Sequence, residues 1–337
     1  MNILDSCPIP ENDRLIGFSN SSNWEDTQTV TAGQLCPPTD EPVTSTTGRQ
    51  LKLLHAAVQI ADVAPAGDDM AFMHAILCQV GLPRSRVMTD KFTRVCGNAA
   101  LSISAGSLWD GQQFVDQPLP YGAMPRLALA WINTYAVRHR ATEIPIGDSA
   151  SDFLRTLGKS PNGGKRSSFA TFRQQMRSLS ACRLTLGFNA AGKAYTYAGQ
   201  PIKQFEAWMQ VTGQQRSLWP GVVTLSQDYY ATLSDHAVPI DMRAMMALKG
   251  SALAMDVYTM LANRLHRICG RPLVLHWANL RQQFGQEYQG KDPSRDFKHE
   301  FLKALKGVLT VYPQARVKKV TGGLLLMSSP PPIPYKY

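Results

Sequence analysis

The run GGKRSSFATFRQQMRS, residues 163–178, sets two kinds of chemistry side by side. Gly163, Gly164, Lys165, Arg166, Ser167 and Ser168 lead into an amphipathic stretch, so backbone amides, a helix N-terminus and two cations would meet at one point. That combination favours a phosphate. Phe169, Phe172, Met176 and Leu179 recur at i, i+3, i+7 and i+10, an apolar stripe read as core and not as a cofactor box. The other face would carry Thr171, Gln174, Gln175 and Ser178, flanked by Arg173 and Arg177. Arginine pairs with guanine edges and glutamine with adenine, so such a face suits a duplex major groove.

A second run, DFKHEFLKALKGVL, repeats the pattern further on. Phe297, Phe301, Leu305 and Val308 form its stripe, and Arg295, His299, Lys303 and Lys306 face solvent with Lys298 beside them. Asp296 and Glu300 dilute the charge. Each run precedes a candidate β-hairpin. Lys193 falls near the tip of the first hairpin, and Lys318 and Lys319 fall on the second.

The chain-wide charge distribution points the same way. The 337 residues carry a formal net charge of +10, yet residues 1–50 hold seven acids against two basic residues, leaving +15 for the rest. From Phe153 to Phe205 there are nine Lys/Arg and no acid, and from Phe301 to the end six Lys/Arg and no acid. A solvated surface normally mixes signs. Two acid-free basic tracts suggest two surfaces facing phosphates.

Other chemistries find little support. There is no GxxxxGK[ST] phosphate loop, no GxSxG elbow and no HExxH helix. Tyr195, Tyr197, Tyr229 and Tyr230 would serve a nicking nuclease only beside a histidine pair. His55, His74, His139, His236, His266, His276 and His299 form no such cluster. Cys7, Cys36, Cys78, Cys96, Cys182 and Cys269 lack zinc spacing and read as thiols. The reading is therefore not an enzyme, with no catalytic residue, metal or cofactor. No stretch approaches the roughly 18 apolar residues of a membrane span. The opening MNILDSCPIPENDR is not a signal peptide. The expected location is the cytoplasm.

The elements that must position these faces follow from periodicity and punctuation. Residues 1–48 are polar and read as a loosely ordered arm. QLKLLHAAVQIADV reads as a helix burying Leu51, Leu54, Ala57, Val58 and Ala61, and MAFMHAILCQVGL as a second helix. Then come a long helix at 124–140, a short strand in TEIPIG, a helix in DSASDFLRTLG capped by Asp148, with Ser149 and Asp152 able to satisfy free amides at its start, the opening helix and a hairpin. Helix, strand, helix, helix and hairpin return from 251 onward. His139, Arg140, Pro145 and Gly158 match His266, Arg267, Pro272 and Gly285 at one offset of 127 residues. The order indicates a duplication. The expected fold is α+β and helix-rich, with tandem winged-helix domains and short β-hairpin wings. Its units are an arm (1–48), a first domain with an N-terminal extension (49–205), a second domain (206–330) and a tail (331–337).

LPYGAMPRLALAWINTYAVRHRATEIPIGDSASDFLRTLG, GGKRSSFATFRQQMRSLSAC, VPIDMRAMMALKGSALAMDVYTMLANRLHRI, HWANLRQQFG and VYPQARVKKVTGGLLLMSSPPPIP resemble the plasmid-encoded RepA-type replication initiators of bacteria. The resemblance covers about residues 118–332. It implies binding to repeated sites (iterons) in double-stranded DNA at a plasmid origin, local duplex opening, and recruitment of a host replicative helicase and initiator protein. It also implies a homodimer off DNA. The alternative function is a winged-helix transcriptional repressor without initiation activity; a rolling-circle nickase is a third.

Overall fold

The computed structural model describes residues 48–146, 149–157, 168–190, 193–204 and 222–334. In the first half these form α1 (Gly48–Asp62), β1 (Met70–His74), α2 (Ala75–Gln79), β2 (Lys91–Cys96), β3 (Ala99–Ser104), β4 (Ser107–Trp109), β5 (Phe114–Asp116), α3 (Ala123–His139), β6 (Glu143–Pro145), α4 (Ala150–Thr156), α5 (Ser168–Ala181), β7 (Arg183–Ala190), β8 (Lys193–Gly199) and β9 (Ile202–Gln204). The second half follows with β10 (Val222–Leu225), α6 (Gln227–Asp235), β11 (Ala237–Asp241), α7 (Met242–Leu248), α8 (Ala252–Arg264), β12 (Leu273–His276), α9 (Trp277–Phe284), α10 (Pro293–Val311), β13 (Val317–Val320) and β14 (Gly323–Leu326). The fold is mixed α+β with small antiparallel sheets. Among the described residues no helix is long and apolar enough to cross a membrane.

The order α6-β11-α7-α8-β12-α9-α10-β13-β14 repeats α1-β1-α2-α3-β6-α4-α5-β7-β8, with β2 to β5 inserted after α2 in the first half. The two halves meet strand to strand, because β1 pairs antiparallel with β11 from Met70↔Asp241 to His74↔Ala237. This corrects the second helix expected in MAFMHAILCQVGL, whose first five residues form β1 and whose helix is confined to α2. An apolar run of that length is locally ambiguous between helix and strand, and the distant partner decides it.

The two hairpins differ. β12, β14 and β13 form a three-stranded sheet in that order, so the strand before α9 closes onto the hairpin after α10. The first hairpin is no short wing. β7 and β8 are two strands of a four-stranded sheet, β2-β3-β7-β8. β6 pairs instead with β10, which lies beyond the boundary drawn at 205 and also pairs with β9. The residues before 118 are thus built into the first half. α1 is also turned from its expected orientation. Leu53 and Ile60 pack on the core beside α7 and α10, while Leu51, Leu54 and Val58 stay exposed.

One buried ion pair lies at the seam between halves. Arg126, in the first turn of α3, donates from Nε and Nη2 to the Asp256 carboxylate of α8 at 2.6 and 2.7 Å. Its remaining donors reach the carbonyls of Leu82, Pro83 and Gly122. A Cβ at Gly81 would lie 2.7 Å from the Asp256 carboxylate, so only glycine lets the chain pass there. Both charges are almost fully buried. Asp256→Ala should therefore cost about 3–5 kcal/mol in equilibrium unfolding, because it strands the Arg126 charge, whereas Arg126→Met with Asp256→Leu should restore most of it. A single-variant loss below about 1 kcal/mol, the range of an exposed pair, would contradict the latch.

Candidate nucleic-acid interface

The first candidate helix is held as its stripe requires. Phe172, Met176 and Leu179 are buried and Phe169 half-buried, and α5 packs on α3. Phe153 of α4 bridges the layers, with ring centroids 4.9 Å from Trp131 and 5.8 Å from Phe172. α4 is capped by Ser149, whose hydroxyl accepts from the Asp152 amide at 3.1 Å; Asp148 lies outside the described residues.

The outer face of α5 departs from expectation. Gln175 and Ser178 are buried. Gln175 Oε1 accepts from the Tyr121 amide at 2.7 Å, and Gln174 Nε2 donates at 3.4 Å to Gln117 Oε1 and to Ser178 Oγ. The connection from β5 to α3, which carries Gln117 and Tyr121, covers this side. Just before β4 the chain passes close to the end of α5 at Gly106, where a Cβ would collide with the Ala181 carbonyl. Thr171 remains exposed and Arg173 and Arg177 half-buried. Burial, then the neighbouring Arg177, lower the Arg173 pKa, and its guanidinium lies 5.9 Å from the Phe169 ring. Ser168 opens α5, while Lys165, Arg166 and Ser167 lie outside the described residues. Lys193 is exposed at the start of β8.

The second candidate face gathers more of its predicted residues. Asp292 caps α10 by accepting from the Arg295 amide at 3.0 Å, and Pro293 occupies its first turn. Phe297, Phe301, Leu305 and Val308 are buried. Arg295, His299, Lys303 and Lys306 are exposed. Glu300 stands 3.9 Å from Lys303 and 4.0 Å from His299, an exposed arrangement that holds neither firmly. The Lys298 ammonium sits 5.1 Å above the Trp277 ring.

Around α10 the surface is concave. A groove of about 890 Å³ runs between α9 and the start of α10, and Trp277, Tyr288, Arg281, Arg295 and Lys298 are among the residues that line it. Gln282, Gln286 and Gln289 add amides to its walls. A second hollow lies between Lys298 and the hairpin residues Lys319 to Gly322. Lys298 therefore joins the helix to the hairpin. Lys318, one residue away on β13, projects to the opposite side of the strand. Arg281 and the three glutamines escaped the sequence reading. The glutamine-rich run RQQFGQEYQG is the signal the sequence offers for them.

The sequence profile of the family described as plasmid encoded RepA protein matches residues 119–278, just under half of the chain. Over this region the chain is similar to the RepA family of plasmid-encoded replication proteins. The RepA match runs from the residues before α3 into the first turn of α9. It therefore contains α5 and the seam pair Arg126–Asp256, and it ends before α10 and the β13–β14 hairpin. No curated protein and no solved structure matches the chain.

Gln175 should behave as a structural residue. Gln175→Ala should lower stability by about 1–3 kcal/mol, because it leaves the Tyr121 amide without its acceptor. Thermal unfolding checks this, and an unchanged melting temperature would return Gln175 to the outer face.

Proposed function

We propose that this chain is a plasmid replication initiator of the RepA type that acts by binding double-stranded DNA and not by bond chemistry. Two adjoining cationic hollows carry the reading: Arg295 and Lys298 line the groove between α9 and α10, and Lys298 and Lys319 line the one between α10 and the β13–β14 hairpin. The order helix, strand, helix, helix, hairpin, with the strand closing onto the hairpin, supports a winged-helix unit in the second half. α10 would enter a major groove, with Arg295, His299, Lys303 and Lys306 toward bases and backbone and Lys319 on a flanking phosphate. α5 would serve the equivalent role in the first half. It would act through Arg173, Arg177 and the run from Lys165 to Ser168, with Gln174 already engaged by Gln117. Two such helices in one chain fit repeated sites about one helical turn apart.

On this reading the repeated sites are iterons at the replication origin. Binding would promote local opening of the duplex and bring in the host helicase and initiator protein, and the chain would form a homodimer off DNA. No metal or cofactor is invoked.

Equilibrium binding over a range of salt tests the surface. Wild type should show a steep fall of affinity with salt, and Lys319→Ala should weaken all duplexes alike and reduce that slope by about one. Lys319→Ala binding indistinguishable from wild type would remove the hairpin from the interface.

A further inference from the structure

The turn leading into α10 is tied to the other half of the molecule. Glu287 lies between α9 and α10, and both of its cationic partners come from the first half. Arg84 Nη2 donates to its Oε2 at 2.9 Å and the Arg84 amide to Oε1 at 3.2 Å. Arg94 Nη2, from β2, donates to Oε1 at 2.8 Å, while its Nη1 donates to the Gly81 carbonyl at 3.0 Å. The Arg94 side chain is 0% exposed. The Arg84 guanidinium also lies 4.9 Å from the centre of the Tyr288 ring, and that ring meets Phe297, on the inner face of α10, at 5.7 Å. Burial raises the Glu287 pKa, but Arg94 and Arg84 more than offset this and hold it at about 2. The carboxylate is charged under any working condition.

An isolated helix-turn-helix needs none of these contacts. Here a tilt of α10 relative to the first half would break hydrogen bonds to a mostly buried carboxylate and leave at least one guanidinium stranded. On the α9 side, Gln283 Nε2 donates to the Gln79 carbonyl at 2.6 Å and adds a further tie. We infer that Glu287, clamped by Arg84 and Arg94, is a positioning residue that fixes α10 relative to the first half and so sets the spacing between half-sites that the chain accepts. This rests on the DNA-binding reading and adds to it a cause for spacing selectivity. Each inserted base pair turns one half-site by about a tenth of a helical turn relative to the other. A stiff two-part reader must lose one contact surface, and a loosened one follows the rotation.

The test compares full-length wild type with Glu287→Gln on duplexes carrying one protected site. These have one to five base pairs inserted between its two halves, together with a full-turn insertion and an isolated half-site. Wild type should lose roughly a hundredfold in affinity near a half-turn insertion and recover part of it at a full turn. Glu287→Gln should keep wild-type affinity for the isolated half-site and the same salt slope, while its half-turn penalty falls severalfold. An unchanged penalty in Glu287→Gln, or no penalty in wild type, would overturn the inference and leave DNA binding intact. Lys303→Ala is the control. It should weaken every duplex without altering the spacing profile, and flattening equal to that of Glu287→Gln would also overturn the inference. Should Glu287→Gln fail to fold, Arg84→Gln keeps the Arg94 pair and should flatten the profile partly; a wild-type profile there would be equally contradictory. Absence of wild-type binding to any duplex would instead refute the proposed function.

Discussion

Arg126 and Asp256 carry opposite charges into the interior, and the two halves are arranged around that fact. Neither ion could remain there alone. The pair joins α3 to α8, the helices that occupy the same place in the two repeats. α5 packs on α3 and α10 on α8, so each candidate reading helix hangs from one side of this joint. The β1–β11 ribbon and the Arg84–Glu287–Arg94 cluster add further ties across the seam. The two halves, which share one order of elements, are joined by polar groups that pair only in the native arrangement.

The two halves differ where they meet solvent. In the second half, β12 closes onto β14 and β13, and the hairpin projects beside α10 with Lys319 turned toward Lys298. In the first half, the inserted strands take up the hairpin. β3 pairs with β7, and the connection from β5 to α3 binds the glutamines of α5 through Gln117 and Tyr121. The result is asymmetric. Among the described residues, the second half offers an open cationic concavity, while α5 in the first offers Thr171 and two half-buried arginines, with Lys193 exposed on β8. The RepA match covers the first of these surfaces and stops short of the second.

Local patterning carried much of this. Helices α3, α5, α8, α9 and α10 and the hairpins after α5 and α10 follow from period-3.6 stripes, caps and turn residues that act within a few residues of themselves. The stripe from Phe297 to Val308 is buried as its spacing requires. Long-range pairings were out of reach. MAFMHAILCQVGL reads as a helix until β11 supplies a partner strand. Gln175 reads as an outer-face residue until Tyr121 claims its oxygen. The apolar residues of α1 form two faces, and sequence alone chose Leu51, Leu54 and Val58 where packing chose Leu53 and Ile60. Glu287 looks like one acid in a polar loop, because its partners Arg84 and Arg94 lie some 200 residues earlier.

The central claim is that the chain engages duplex DNA with two helices held at a fixed separation. Footprinting of the purified full-length chain on its plasmid's replication region, at physiological salt and with permanganate to detect unpaired thymines, tests it most directly. The account predicts paired protected blocks on one face of the duplex, repeated at regular spacing, with reactive thymines in an adjacent stretch. A single short protected palindrome without distortion, or no protection anywhere, would contradict it.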